Sequence, residues 1–237
     1  MVLKELIQRS PIRIFEQSIN GGLKAGEIGV IASPTGVGKT SVLVQLGLDK
    51  LLQDKKVIHV SFYLGHHTQY VPLWYEDIFT ELVNKKNLEN ASEILNDTVK
   101  NRVLMNFNQD GVTKDQIIKS LRAMIIEGGF KADSIIIDGF DFSRAEKESI
   151  SAVKTFATEL GVSVWYSCSV KDDSQSAYDK DNIPVVLGNF MDNIDVTVVL
   201  QPKSDHVELS ISKDRGSVIS KSMAMRLDPK TLLILEV

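Results

Sequence analysis

Residues 33–41 read Ser33-Pro34-Thr35-Gly36-Val37-Gly38-Lys39-Thr40-Ser41, the phosphate-loop pattern G-x-x-x-x-G-K-[ST] with serine at the first glycine position. Each residue type has a task in holding phosphate. Glycines let consecutive backbone N–H groups turn inward around phosphate oxygens, and a helix starting there presents its positive end to them. Lys39 is placed to reach β- and γ-phosphates, and the Thr40 hydroxyl to ligate a phosphate-bound Mg²⁺. A bare G-K-[ST] arises by chance in roughly one chain in ten of this length, so the flanks decide. Before the loop, 29–32 is an apolar strand. After it, 41–52 carries Val42, Leu43, Val44, Leu46, Leu48, Leu51 and Leu52, a helix that must be buried. Strand, loop and helix in that order are what the pattern requires.

A second element points to the same place. Ser134-Ile135-Ile136-Ile137-Asp138 is an apolar strand that delivers a carboxylate at its C-terminal end, where ligands of open α/β sheets gather. Asp138 would hold the Mg²⁺ through its water shell; the plainer alternative is a cap on the turn at Gly139.

The elements that must position these groups alternate as βαβ units around a mostly parallel sheet. Strands are expected at 29–32, 57–62, 103–107, 134–137 and 163–167, each a run of Val and Ile suited to burial on both faces. Thr113 is a plausible N-cap for a helix bearing Ile117, Ile118, Leu121, Met124 and Ile125 and ending near Gly128. A second stripe, Ile150, Val153, Phe156, Ala157 and Leu160, precedes Gly161. The segment 66–102, with Tyr70, Trp74, Tyr75, Ile78, Phe79 and Leu82, reads as an inserted pair of helices whose aromatics serve the core or a docking surface. Beyond 190, Val207, Leu209 and Ile211 alternate with Glu208, Ser210 and Ser212, which predicts antiparallel strands, with turns at 202–205 and 228–231. A single domain over 1–237 is the simplest reading.

With those residues placed, the chain resembles the RecA-like P-loop ATPases, in the branch that contains KaiC, RadA and the DnaB helicases. Gly21-Gly22-Leu23-Lys24-Ala25-Gly26-Glu27 is similar to the G-G-L-x-x-G-E lead-in of KaiC-like and RadA-like proteins, and Lys213-Asp214-Arg215-Gly216 to the K-x-R-G segment of that branch. The resemblance covers most of the chain and implies an α/β, RecA-like fold with a C-terminal antiparallel extension. It implies Mg·ATP as ligand, and Lys213 and Arg215 reaching a γ-phosphate on a neighbouring protomer. Subunits would then pack head to tail, by family habit in a ring of about six. A sensing polar residue is expected at the end of the strand after Asp138, where Ser167 or Ser169 fits.

The sequence departs from the family at the end of the second strand. Relatives commonly place a water-activating glutamate there, and this chain has Tyr63. A positioned general base contributes roughly 10²–10⁴-fold, so its loss should leave binding intact and slow hydrolysis severely. His66 or Asp141 could substitute.

The 237 residues are 43% hydrophobic and 24% charged, which excludes disorder and allows a full core. The one cysteine, Cys168, cannot form an internal disulfide, and a reducing compartment is expected. The start lacks an apolar leader and no run approaches 18 apolar residues, so a cytoplasmic location without membrane insertion is expected. Net charge is −4, and segment 171–181 sets two lysines against four aspartates, which repels a phosphate backbone. The reading is therefore an ATP-binding protein with slow or absent hydrolysis, whose nucleotide controls assembly or the binding of a protein partner. The alternatives are a nucleic-acid-dependent ATPase resembling DnaB or RadA, and a small-molecule kinase.

Overall fold

A computed structural model describes residues 2–8, 10–63, 70–85, 91–171 and 175–237. Its frame is one nine-stranded sheet in the order β3-β2-β4-β5-β1-β6-β7-β8-β9. The strands are β1 (Ile28–Pro34), β2 (Val57–Ser61), β3 (Arg102–Asn106), β4 (Ser134–Asp138), β5 (Ser163–Val170), β6 (Val196–Pro202), β7 (Val207–Asp214), β8 (Ser217–Leu227) and β9 (Ile234–Glu236). Neighbours from β3 across to β6 run parallel, and β6 through β9 pair antiparallel. This is a mixed α/β fold of nucleoside-triphosphatase type. No described helix is long and apolar enough to cross a membrane.

The parallel strands are continuous apolar runs because both faces are covered. Successive side chains alternate between two cores: Ile31, Ile136 and Trp165 belong to one, and Val30, Ile135, Ile137, Val164 and Tyr166 to the other. Helices α1 (Val2–Gln8), α2 (Ile12–Ser18), α3 (Lys39–Leu52) and α4 (Tyr70–Lys85) contribute to the first core, with α5 (Ser92–Thr98) against it. The second is closed by α6 (Lys114–Arg122), α7 (Lys147–Leu160) and the 3₁₀ segment Val185–Phe190.

Helix α3 is buried nearly all round, as its apolar sequence demanded. Gly47 in its middle is a close-approach glycine: a Cβ there would lie 2.5 Å from the Tyr75 hydroxyl and 2.7 Å from Ile136. Helix α6 starts with a full capping box in which Thr113 and Gln116 satisfy each other's backbone N–H. Gly161 ends α7 at φ 68°.

Several boundaries differ from the sequence expectation. Strand β1 runs on through Ser33 and Pro34, because β5 continues beside it and pairs Pro34 with Val170. The helical segment yields α4 and α5, of which Val71, Tyr75, Ile78 and Phe79 enter the core while Tyr70 and Leu73 stay exposed. The end of α6 passes into a π-helical turn, Ala123–Glu127, before Gly128. The alternation in β7 does not separate core from solvent: Ser210 and Ser212 are also buried, with Ser212 donating to the Asn182 carbonyl and Asn182 to the Ser210 hydroxyl.

Candidate functional site

The phosphate loop leaves the C-terminal end of β1 and becomes the first turn of α3. Gly36 and Gly38 take φ of 81° and 112°, conformations that a side chain resists, and a Cβ on Gly36 would meet nothing within 4 Å. The crest at Thr35 and Gly36 is exposed and the space above it is open. Ser33 tolerates the first glycine position because it is still extended strand. Its hydroxyl donates to the Pro34 carbonyl at 2.8 Å.

Lys39 is buried under this loop. Its ammonium donates to the Ser33 carbonyl at 3.1 Å, the Ser33 hydroxyl at 3.2 Å and the Pro34 carbonyl at 2.9 Å. Burial holds its pKa below the usual lysine value, against the opposing pull of Cys168 and Asp138. An ammonium that donates only to neutral oxygens lacks the counter-charge a phosphate would supply. Ser41 turns the other way, donating to the Leu232 carbonyl, and Gln45 ties the same helix to Leu232 and Ile234. The C-terminal strands thereby brace the loop's helix.

Strand β5 lies between β1 and β4, yet α3 crosses the gap. The Thr40 hydroxyl donates to Asp138 Oδ2 at 2.8 Å, from residues 98 apart in sequence. Asp138 is fully buried at the end of β4. The next residue, Gly139, has φ 82°, and its N–H is accepted at 2.8 Å by the Ser167 hydroxyl, which lies within β5 because that strand runs on to Val170. Ser167 is buried there, while Ser169 faces outward.

Tyr63 closes the group from the end of β2. Its hydroxyl lies 3.4 Å from Asp138 Oδ1, and its ring packs over Gly139, where a Cβ would meet it at 3.1 Å. The residue is 45% exposed through its ring, but the hydroxyl is turned inward. Burial of that oxygen, with the Asp138 carboxylate beside it, pushes the phenol up to about 12. It is a proton donor at neutral pH and a poor base. Tyr70 and Trp74 of α4, which sequence reasoning left to the core or a docking face, stand at the same place. With Thr40, Tyr63, Val71 and Asp138 they line a cavity of about 220 Å³. A polar hollow of about 620 Å³ opens on the other flank of the loop, beside Pro34, Asn182 and Gln201. Asp141 is exposed and caps the 3₁₀ turn Phe142–Arg144, accepting from the Ser143 N–H and hydroxyl. His66 lies outside the described residues.

Lys213 and Arg215 are not brought to this loop. They sit at the opposite end of the strands, beside the start of β1, a strand length or about 20 Å away. Lys213 donates to the Met191 carbonyl at 2.5 Å. Arg215 spends all five of its N–H donors inside the chain: on both oxygens of Glu27 at 2.8 and 2.9 Å, on Asp214 at 2.5 Å, and on the carbonyls of Ile19 and Gly22 at 3.0 and 2.7 Å. The lead-in 21–27 and the segment around Arg215 are thus two halves of one clamp. Their opposite charges were visible in the sequence, but only the sheet order shows that they meet. In this conformation Arg215 has no donor left for a phosphate. Arg215→Ala should lower the stability of the nucleotide-free protein by about 2–3 kcal/mol, a fall in Tm of roughly 5–10 °C. An arginine serving only a neighbour's phosphate would leave that Tm unchanged.

Among the described residues no group of three or more His, Cys, Asp and Glu side chains could hold a metal ion. The hydroxyl and carboxylate of Thr40 and Asp138 suit a hydrated Mg²⁺ that takes its remaining ligands from water and phosphate.

No family model matches the chain. Among curated proteins it is similar to the "Pleiotropic ABC efflux transporter of multiple drugs YBT1" of Candida glabrata, 26% identical over 216 residues. That alignment covers 88% of this chain and 13% of the relative, so the chain spans about an eighth of the protein it matches. The likeness and the strand–loop–helix geometry converge on a P-loop NTPase-like domain.

Proposed function

We propose that the chain binds Mg·ATP in this loop as a RecA-like, KaiC-like module, hydrolyses it slowly or not at all, and uses the bound nucleotide to control its own assembly or a protein partner. The observation that carries the reading is the 2.8 Å contact between Thr40 and Asp138 directly beneath the buried Lys39 loop. Loop amides and Lys39 would hold the β- and γ-phosphates, and Thr40 with Asp138 the magnesium, whose charge neutralises the phosphate oxygens. The hollow beside Pro34 has room for the nucleoside. Ser167, through Gly139, fixes the turn that carries Asp138.

Tyr63 occupies the place from which a base would activate water. A phenol held near 12 cannot take a proton at neutral pH, and Asp141 is committed to its cap. Binding without turnover is the state such a site favours, and a bound triphosphate can then act as a lasting switch.

Assembly is the part of the proposal that the nucleotide should move. A neighbour's Lys213 would have to leave Met191, and Arg215 would have to leave Glu27, before either met a phosphate. The mass in solution is expected to rise with Mg·ATP relative to ADP or no nucleotide, measured by light scattering on a sizing column. Identical masses in all three would remove the assembly switch while leaving nucleotide binding intact.

A further inference from the structure

We propose that the hollow beside Asp138 is a second ligand site, which takes a small molecule carrying a quaternary ammonium group. It is the cavity of about 220 Å³ lined by Tyr63, Tyr70, Val71, Trp74 and Asp138. Three of these side chains are aromatic, and no lysine or arginine is among the lining residues. The volume is below the roughly 300 Å³ at which pockets for drug-sized ligands begin, which limits the occupant to a compact head with a short tail. Tyr63 and Tyr70 are each about half exposed, so the cavity is open to solvent.

The charge of the ligand follows from Asp138. This carboxylate is fully buried, and its hydrogen-bond partners among the described residues are neutral hydroxyls, Thr40 on Oδ2 at 2.8 Å and Tyr63 on Oδ1 at 3.4 Å. Lys39, whose charge is felt at Asp138, donates instead to Ser33 and Pro34. A carboxylate withdrawn from water without a paired cation attracts one that can reach it. The hydrated Mg²⁺ of the proposed function arrives with phosphate and takes oxygen ligands, so it makes no use of the rings. Aromatic rings attract organic cations, and groups of tryptophan and tyrosine are a general means of recognising quaternary ammonium. Both oxygens of Asp138 already accept a hydroxyl, so the cation does not have to donate a hydrogen bond. A primary ammonium would lose tightly held water against Val71 and the rings, whereas methyl groups meet that lining as apolar surface.

The inference does not depend on nucleotide, and its test uses none. The chain has two tryptophans, of which Trp165 is buried in the core, so the Trp74 indole N–H gives an NMR signal that belongs to this cavity. Titration of the full chain at constant ionic strength, without magnesium, is expected to move that signal saturably with choline at millimolar concentration or below. Neohexanol has choline's shape without its charge, and ethanolamine has the charge without the methyl groups; each should bind about tenfold more weakly. Asp138→Asn keeps the shape and should cut the preference for choline over neohexanol several-fold. Tyr70→Leu removes a half-exposed ring and should weaken choline more than neohexanol, with circular dichroism showing that each variant is folded. No saturable movement of the Trp74 signal, neohexanol or ethanolamine binding as tightly as choline, or a preference for choline that Asp138→Asn leaves unchanged would each overturn the proposal. Because the titration contains no nucleotide, each of those results leaves the ATP reading of the loop standing.

Discussion

Tyr63→Glu is expected to raise steady-state phosphate release from Mg·ATP by about 10²-fold or more, the contribution of a positioned general base. The substitution places a carboxylate at the end of β2, next to Asp138, where Tyr63 now keeps a protonated oxygen 3.4 Å from that side chain. Two carboxylates at close range raise the pKa of one of them, which brings the new base nearer to neutrality. Folding should survive, because 45% of the tyrosine already faces solvent and the strand does not depend on it. Tyr63→Phe is the control. It removes the hydroxyl without adding a base, so turnover should stay at the wild-type level. A wild-type rate already as fast as that of the glutamate variant would show that another group activates water, and the switch-like reading of the site would fall with it.

Lys39→Met should weaken ATP binding by at least 10²-fold. The ammonium is buried and donates to three neutral oxygens. It can turn from these to phosphate oxygens, and hydrogen bonds between charged partners contribute about 1.5–3 kcal/mol each. Methionine keeps the length of the stem and its packing, so the fold should hold. Differential scanning fluorimetry separates the two effects. In the wild type, saturating Mg·ATP should raise Tm as binding to the native state requires, and in Lys39→Met that rise should vanish while the nucleotide-free Tm changes little. An equal rise in both proteins would place the nucleotide elsewhere.

Much of this site was legible from residue type and spacing, because phosphate binding asks for specific local chemistry. Gly36, Gly38, Lys39 and Thr40 are contiguous, and the apolar runs on either side dictate strand and helix; nothing distant is needed to see them. Asp138 required one further step, the rule that strand ends in parallel sheets carry the ligand groups, and it meets Thr40 at 2.8 Å. What sequence could not show depends on partners far away in the chain. Ser33 and Pro34 belong to β1 only because Val170 extends the neighbouring strand. Ser210 and Ser212 read as solvent positions by alternation, but Asn182 covers them. Trp74 packs against the core as its stripe predicts, and what the sequence could not show is that it also lines the cavity beside Thr40 and Asp138. Arg215, to which the resemblance gives an intermolecular task, has its five donors engaged within this chain, chiefly with Glu27, and no local pattern announces that pairing. A motif transferred from relatives carries its residue types with it, but the partners of those residues are settled by the whole sheet.

Isothermal titration of the purified chain with ATP, with magnesium and then with a chelator, tests the central claim most directly. One site per chain, with a micromolar or tighter Kd that weakens at least tenfold when magnesium is removed or when Asp138 is replaced by asparagine, is the expected result. Absence of saturable heat at millimolar ATP in the presence of magnesium would contradict it, because the loop, Lys39 and the Thr40–Asp138 pair would then be holding nothing.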